Sequence, residues 1–367
     1  MITGGAGFIG SHLADELLKH GYNVRALDML SAQVHGIASN RPEYLNSEVE
    51  LIRADLRDPA AVEQALRGID AVYHLAAAVG VGQSMYEIAN YVNTNGVGTA
   101  VLLEALIKLR IEKLIVASSM SIYGEGLYRS RNGKLKNPIE RSLERLKAGL
   151  WDFTDEEGHP LEPVATPENA SPCLSSIYAL SKYDQERMCL LVGRAYKIPT
   201  LALRFFNVYG PRQALSNPYT GVLAIFASRL LNDNPPMIFE DGEQKRDFVS
   251  VYDVAQACRL ALEAPDGAGR ILNIGSGRAF TVREIAERMA EVLGKENIEP
   301  QISGRYRVGD VRHCFADISA ARSILGYQPK VTLEPGLSDL AEWLEGQLAD
   351  DHVESASAEL AVRGLTL

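Results

Sequence analysis

The first ten residues, MITGGAGFIG, hold four glycines, and the spacing Gly4-x-x-Gly7-x-x-Gly10 runs straight into an amphipathic stretch over 8–20. A strand end, a glycine-rich turn and a helix start, in that order, admit few folds. Glycine removes side chains where a pyrophosphate must approach the backbone, and the helix that follows aims its free N–H groups at the anion. Alone, the spacing suits any tight turn with close helix packing. Asp28 adds a second element. It closes the next apolar run, 21 residues beyond Gly7, where a carboxylate accepts hydrogen bonds from adenosine ribose hydroxyls and repels a 2′-phosphate. No arginine follows it in DMLSA, so the expected cofactor is NAD and not NADP. Asp55, in RADLRD, is a candidate for the adenine side and equally an ordinary strand-end cap.

The pattern downstream agrees with such a loop. NVRALD (23–28), VELIRAD (49–55), AVYHLA (71–76) and KLIVASS (113–119) read as buried strands, with helical periodicity over 8–20, 59–66 and 84–108 between them. This alternation predicts an α/β fold, a Rossmann-type doubly wound parallel sheet with its ligand at the carboxyl ends of the strands. Residues 125–172 break the rhythm; they are charged and end in several prolines, which predicts a long surface insertion with one short helix. A helix over 176–196 and a strand PTLALRF (199–205) resume it. Beyond 210 the elements are mixed: helices near 220–231, 253–263 and 281–293 and strands MIFE and RILNIG. We therefore expect an NAD-binding domain over 1–207 and a smaller mixed α/β substrate-binding lobe over 208–349. Residues 350–367 lack a core pattern and are expected to form a flexible tail. Met1–Thr3 supplies only the end of a central strand of ordinary length, so a start a few residues upstream is expected.

Composition excludes several classes. A net charge of −10 argues against nucleic-acid binding. The four cysteines, Cys173, Cys189, Cys258 and Cys314, form no CxxC pair, and the seven histidines form no HExxH; neither a disulfide framework nor a metal centre is expected. No apolar run reaches the roughly 20 residues of a membrane span, and no signal peptide is visible. A cytoplasmic protein is the expectation.

Chemistry enters with SIYALSK. Tyr178 and Lys182 lie four residues apart, on one face of the predicted helix. A tyrosine is a poor base at neutral pH, with an ordinary pKa of about 10. A neighbouring ammonium stabilises the phenolate and makes it a general acid–base group for a sugar or alcohol hydroxyl. VASSMSIYG, ending the fifth strand, offers a hydroxyl at the carboxyl edge of the sheet: Ser119, with Ser118 and Ser121 as alternatives.

The order TGGAGFIG, aspartate after strand two, HLAA, ASSxxxYG, YxxxK and RFFNVYGPR resembles the extended short-chain dehydrogenase/reductase family, specifically its nucleotide-sugar epimerases and dehydratases, from residue 2 to about 345. The resemblance makes Ser119, four residues before Tyr123, the catalytic serine beside Tyr178 and Lys182. It implies cofactor contacts from Gly4, Gly7, Phe8, Ile9, Gly10, Asp28, Asp55, Leu56, Leu75, Ala76, Ala77, Asn95, Tyr178 and Lys182. For the sugar nucleotide it implies Asn207 and Arg246 at the diphosphate, Arg307 and Asp310 at phosphate and ribose, and Phe239 stacked on the base. Arginine suits the diphosphate because its planar fork donates two hydrogen bonds at once. Dehydratases of the family carry an Asp-Glu pair after the catalytic hydroxyl; here Met120 and Ser121 stand there, so redox-neutral 4-epimerisation is the expected isomerase activity. ALDMLSAQVHG, NVYGPRQALSNPYTGVLAIFASRLLNDNPPMIFEDG and the insertion look most like the branch acting on dTDP-L-rhamnose. UDP-hexose and UDP-uronate epimerases are the alternatives, ahead of a reductase or a non-catalytic NAD-binding regulator. The family also implies a homodimer through the helices near 84–108 and 176–196.

Overall fold

The computed structural model describes residues 1–36, 40–138, 140–213, 221–307, 310–345 and 361–366. Its centre is a seven-stranded sheet, every pairing parallel. Five strands are β1 (Ile2–Thr3), β2 (Arg25–Asp28), β3 (Glu50–Arg53), β4 (Ala71–His74) and β5 (Lys113–Ser119); Thr200–Phe205 and Ile271–Ile274 complete it. The spatial order is Ile271–Ile274, Thr200–Phe205, β5, β4, β1, β2, β3. The chain therefore builds outward from β1 to β3, then crosses back to lay β4 on β1's other side. That reversal is the switch point where a doubly wound sheet opens a crevice at its carboxyl end, and the glycine turn leaves β1 there.

Alternation along the strands feeds two cores. Ile115 and Ala117 of β5 join one apolar cluster and Leu114 and Val116 the other; Leu201, Leu203 and Phe205 likewise face away from Ala202. Covering both faces is what continuous apolar runs such as LIVA require. A third core, with Tyr209, Phe226, Ile285, Met289 and Leu337, unites the helices Val222–Leu231, Val282–Val292 and Leu333–Glu345. The boundary expected at 207 is crossed in space. Helix Val251–Glu263 packs along helix Phe8–Lys19, and Ile271–Ile274 pairs with Thr200–Phe205 in the main sheet.

Two segments depart from the sequence reading in detail. The expected helix over 84–108 is a short turn, Val81–Ser84, and then a run from Ile88 to Leu106 whose middle, Val92–Val97, is π-helical. The insertion is more ordered than a surface excursion. Leu127–Arg129 pairs antiparallel with Leu135–Lys136 and with Glu162–Val164, and helix Leu143–Lys147 lies between them in sequence. Buried Tyr128 anchors this small sheet, its ring edge-on to Phe153 and to His313. Strands of two or three residues carry too little periodicity to be read from composition. Of the expected tail, 350–360 and 367 lie outside the described residues. Residues 361–366 lie against the protein: Thr366 bridges Arg307, and the Arg363 guanidinium sits 4.1 Å from the Tyr86 ring centroid. Among the described residues no helix is long and apolar enough to cross a membrane.

Candidate active site at the switch point

The glycine turn is tight for a steric reason. Gly4 has φ +70°, and a Cβ there would lie 2.9 Å from the Ala76 nitrogen; a Cβ on Gly10 would collide with the Gly4 carbonyl and lie 2.7 Å from Gly5 Cα. Helix Phe8–Lys19, opened by Phe8 and Ile9, thus packs directly on the turn. Gly7 caps it with no side chain to occupy its first N–H groups, which leaves them for an anion. Asp28 ends β2 beside this turn, accepting from Ala6 N at 3.0 Å and from Leu30 N at 2.9 Å. His35, absent from the sequence reading, brings its Nε2 to 3.8 Å from Asp28. Asp55 is engaged elsewhere: it accepts from the Arg57 backbone and side chain, and that side-chain hydrogen bond holds its carboxyl below the usual range. Leu56, next to it, is buried against Gly98.

Leu75, Ala76 and Ala77 carry the chain out of β4 towards buried Asn95. Asn95 pairs with both backbone groups of Ala78, at 2.7 and 3.1 Å, and donates to Ser181 Oγ at 2.9 Å. The π-helical stretch presents that asparagine, a use typical of such bulges.

Helix Ile177–Tyr196 begins on a Ser176 cap that accepts from Ala179 N at 3.1 Å. Tyr178 is its second residue and Lys182 follows one turn later, as the spacing requires. Burial pushes the Tyr178 phenol upward, and the neighbouring Ser119 hydroxyl opposes that rise. Burial lowers Lys182 to about 8. The structure also separates the candidate serines. Ser118 turns to the other side of β5 and donates to Glu186 at 2.6 Å, whereas Ser121 stays with Ser119 at 3.2 Å. Glu186 is itself gripped by Arg204 through two bonds of 2.8 Å. Ser118 is therefore part of a structural ion-pair cluster, and Ser119 is the hydroxyl at the phenol.

In the second lobe Phe239 lies under the Arg307 guanidinium, 4.1 Å from its ring centroid. Arg246 reaches Asp310 at 3.4 Å and donates to the carbonyls of Lys245, Val311 and Arg312. These four expected substrate residues form one neighbourhood. Asn207 lies on the strand Asn207–Tyr209, paired with Phe248–Ser250, and its buried Oδ1 has no hydrogen-bond partner. An orphaned buried acceptor is costly, so a donor on a bound molecule suits it. Sequence reasoning missed the clasp around this lobe: Arg141 reaches Glu240 at 2.8 Å and Arg312 reaches Asp152 at 2.8 Å and Asp241 at 2.6 Å. Arg141 and Asp152 come from the insertion, which these pairs dock onto the lobe. Their partners lie about 100 residues away for Arg141 and 160 for Asp152, and single-sequence periodicity carries no such signal. Ligand atoms of Asp155, Glu157 and His159 converge within 4.8 Å at an exposed turn of the insertion; backbone N–H groups of Glu157 and His159 already occupy Asp155.

The model of the NAD dependent epimerase/dehydratase family matches residues 1–144 and 154–275. A dTDP-L-rhamnose 4-epimerase of Burkholderia thailandensis is 36% identical over 353 residues, 95% of each chain. A putative UDP-glucose 4-epimerase of Methanocaldococcus jannaschii is 33% identical over 94% of this chain and 98% of its own. Among solved structures, UDP-glucose 4-epimerase of Thermotoga maritima with UDP-glucose superposes with TM-score 0.76 at 34% identity, covering 94% of this chain and 97% of that one. UDP-glucuronic acid 4-epimerase of Bacillus cereus, with UDP-glucuronic acid and NAD, gives TM-score 0.76 at 30% identity over 94% and 98%.

Proposed function

The chain belongs to the NAD dependent epimerase/dehydratase family, and from that premise we propose that it interconverts dTDP-L-rhamnose and dTDP-6-deoxy-L-talose by epimerisation at C4. As a nucleotide-sugar 4-epimerase of this family it is an isomerase that works with NAD. The glycine turn, the uncapped helix start and Asp28 fit the dinucleotide: they offer space, free N–H groups and a ribose acceptor in one place. Leu75, Ala76, Ala77 and Asn95 line the adjoining strand end in this reading, and Asp55 stays with Arg57. NAD held by these residues would supply reversible hydride acceptance at C4 of the sugar, with no net reduction.

The chain's own residues do the proton work. Tyr178, as phenolate, accepts the proton of the 4-hydroxyl and later returns it; Ser119 shares that hydrogen bond and holds the oxygen in place. Lys182 keeps the phenolate accessible near neutral pH by its charge. Asn207, Arg246, Arg307 and Asp310 hold the diphosphate and ribose, Phe239 the base. The observation that carries this reading is the Ser119 hydroxyl beside the Tyr178 phenol, one helical turn from buried Lys182. Met120 and Ser121 supply no carboxylate for dehydration.

The rhamnose assignment rests on the 36% identical relative. UDP-glucose and UDP-glucuronate are the second reading, supported by the two structural relatives named above. A homodimer belongs to the proposal: Ile88, Val92, Leu180 and Leu191 expose apolar side chains on the two helices expected at its interface. So does a reducing, cytoplasmic setting, which suits four cysteines that form no disulfide. The test is proton NMR of the purified protein with each of the three sugar nucleotides, without reductant. A second set of sugar signals with dTDP-L-rhamnose supports the assignment; turnover of a UDP-sugar alone overturns it.

A further inference from the structure

Lys182 is buried, and its Nζ donates to the Gln185 side-chain oxygen at 2.8 Å. Gln185 is fully buried too. Because an ammonium has no acceptor, the amide orientation is settled: oxygen to Lys182, nitrogen to the other side. There the nitrogen donates to Thr99 Oγ1 at 2.9 Å and to Ala76 O at 3.3 Å. Thr99 donates onward to Asn95 O at 2.5 Å, so its oxygen is free to accept. His74 Nε2 lies 2.8 Å from the same oxygen, and His74 Nδ1 lies 2.9 Å from Thr3 Oγ1. Burial, with the Lys182 charge, lowers His74 to about 3; the ring is neutral. The Gln185 nitrogen lies 3.1 Å from His74 Nε2 as well, so the neutral ring joins Gln185 and Thr99 on one side to Thr3 on the other, its donor and acceptor roles following its tautomer. Thr3, His74, Thr99 and Gln185 are all buried and all paired. They tie the lysine to β1 and β4, directly beneath the glycine turn.

We propose that Gln185 is a positioning residue for the reaction, fixing the Lys182 ammonium through a buried chain that runs by way of Thr99 and His74 to Thr3. The inference rests on the reading of Tyr178 and Lys182 given above. A hydrogen bond to the charged form favours that form. Gln185 therefore opposes the burial that pushes Lys182 downward, and it does so in a fixed direction because its amide nitrogen is held. The charged and titratable groups acting on Lys182 are Glu186 and Cys189 of its own helix and His74 of β4, and Tyr178 stands one helical turn before it. Glu186 is already paired with Arg204 and His74 is neutral, so Gln185 is the acceptor that the lysine has in hand.

The experiment compares Gln185→Met, of similar length without an acceptor, with Gln185→Glu, which adds a charge at the acceptor. In cofactor-free protein carrying lysine isotopically labelled at Cε, NMR follows the Lys182 titration, assigned with Lys182→Met. In holoenzyme, kcat is followed against pH with the sugar nucleotide that turns over in the NMR panel. Gln185→Met is expected to lower the Lys182 midpoint and the alkaline limb of kcat by about one pH unit. It should cut kcat about tenfold with KM within about threefold. Gln185→Glu is expected to move the midpoint and limb upward. Thr99→Val, which releases the amide nitrogen, should move both the same way as Gln185→Met by less, and it decides the matter where Gln185→Met does not fold. Midpoints and limbs that superimpose on wild type in Gln185→Glu and in the apolar variant overturn the proposal. Equal turnover by wild type and Tyr178→Phe instead overturns the assignment of the base, while the lysine titration still reports on Gln185.

Discussion

Replacing Glu186 by leucine tests what holds the helix of Tyr178 and Lys182 against the end of β5. Glu186 is fully buried and accepts two Arg204 bonds of 2.8 Å and the Ser118 bond of 2.6 Å. Glu186→Leu strands a buried guanidinium, which typically costs about 3–5 kcal/mol, and orphans a buried hydroxyl, about 1–3 kcal/mol more. Arg204 keeps its 3.2 Å bond to Glu168 O and its place 4.8 Å from the Tyr123 ring centroid, so the lower end of the combined cost, about 4 kcal/mol, is expected. Removing both charges with Glu186→Leu/Arg204→Leu should recover most of that loss, because the uncompensated charge has gone and apolar packing replaces it. Urea unfolding of wild type, the two single variants and the double variant, with the slope checked for constancy, gives the coupling. A coupling near zero, or a double variant as damaged as the two singles added together, would refute the view that the pair acts as one buried unit. A single variant costing under about 1 kcal/mol would do the same.

Other perturbations reach different parts of the account. Tyr178→Phe should lower kcat by about 10²–10⁴ while NAD released on denaturing the purified protein stays at the wild-type amount. Ser119→Ala should lower kcat in the same direction, whereas Ser118→Ala should cost stability and leave the reaction largely in place, as separate kinetic and unfolding measurements will distinguish. Gly10→Ala puts a methyl against the Gly4 carbonyl and Gly5 Cα; loss of copurifying NAD, measured by absorbance of the deproteinised supernatant, is the expected outcome. Leu180→Glu with Leu191→Glu should convert a dimer to monomer in sedimentation; a wild type that is already monomeric removes the dimer from the proposal.

The local signals were legible from sequence, and for identifiable reasons. KLIVASS is buried on both faces and so reads as one apolar run, and its strand covers Lys113–Ser119 as read. The Gly4–Gly10 turn and the Tyr178–Lys182 pair are short-range, fixed by spacing alone. What the sequence hid is long-range or irregular. Gln185 finds Thr99 and His74 86 and 111 residues back, and nothing in its own neighbourhood marks it. The serine choice needed the pleat of β5: adjacent Ser118 and Ser119 face opposite ways, and only Glu186 reveals which side is structural. The π-helical turn around Asn95 and the two- and three-residue strands of the insertion break the periodicities on which such reading depends.

The claim at the centre is that C4 itself is oxidised and reduced within one site. The most direct test uses the sugar nucleotide that turns over, deuterated at C4, equilibrated with the enzyme in ordinary water. The account predicts that both epimers keep the deuterium at C4, since the same hydride leaves and returns. Loss of that label to water as the epimers equilibrate would contradict it.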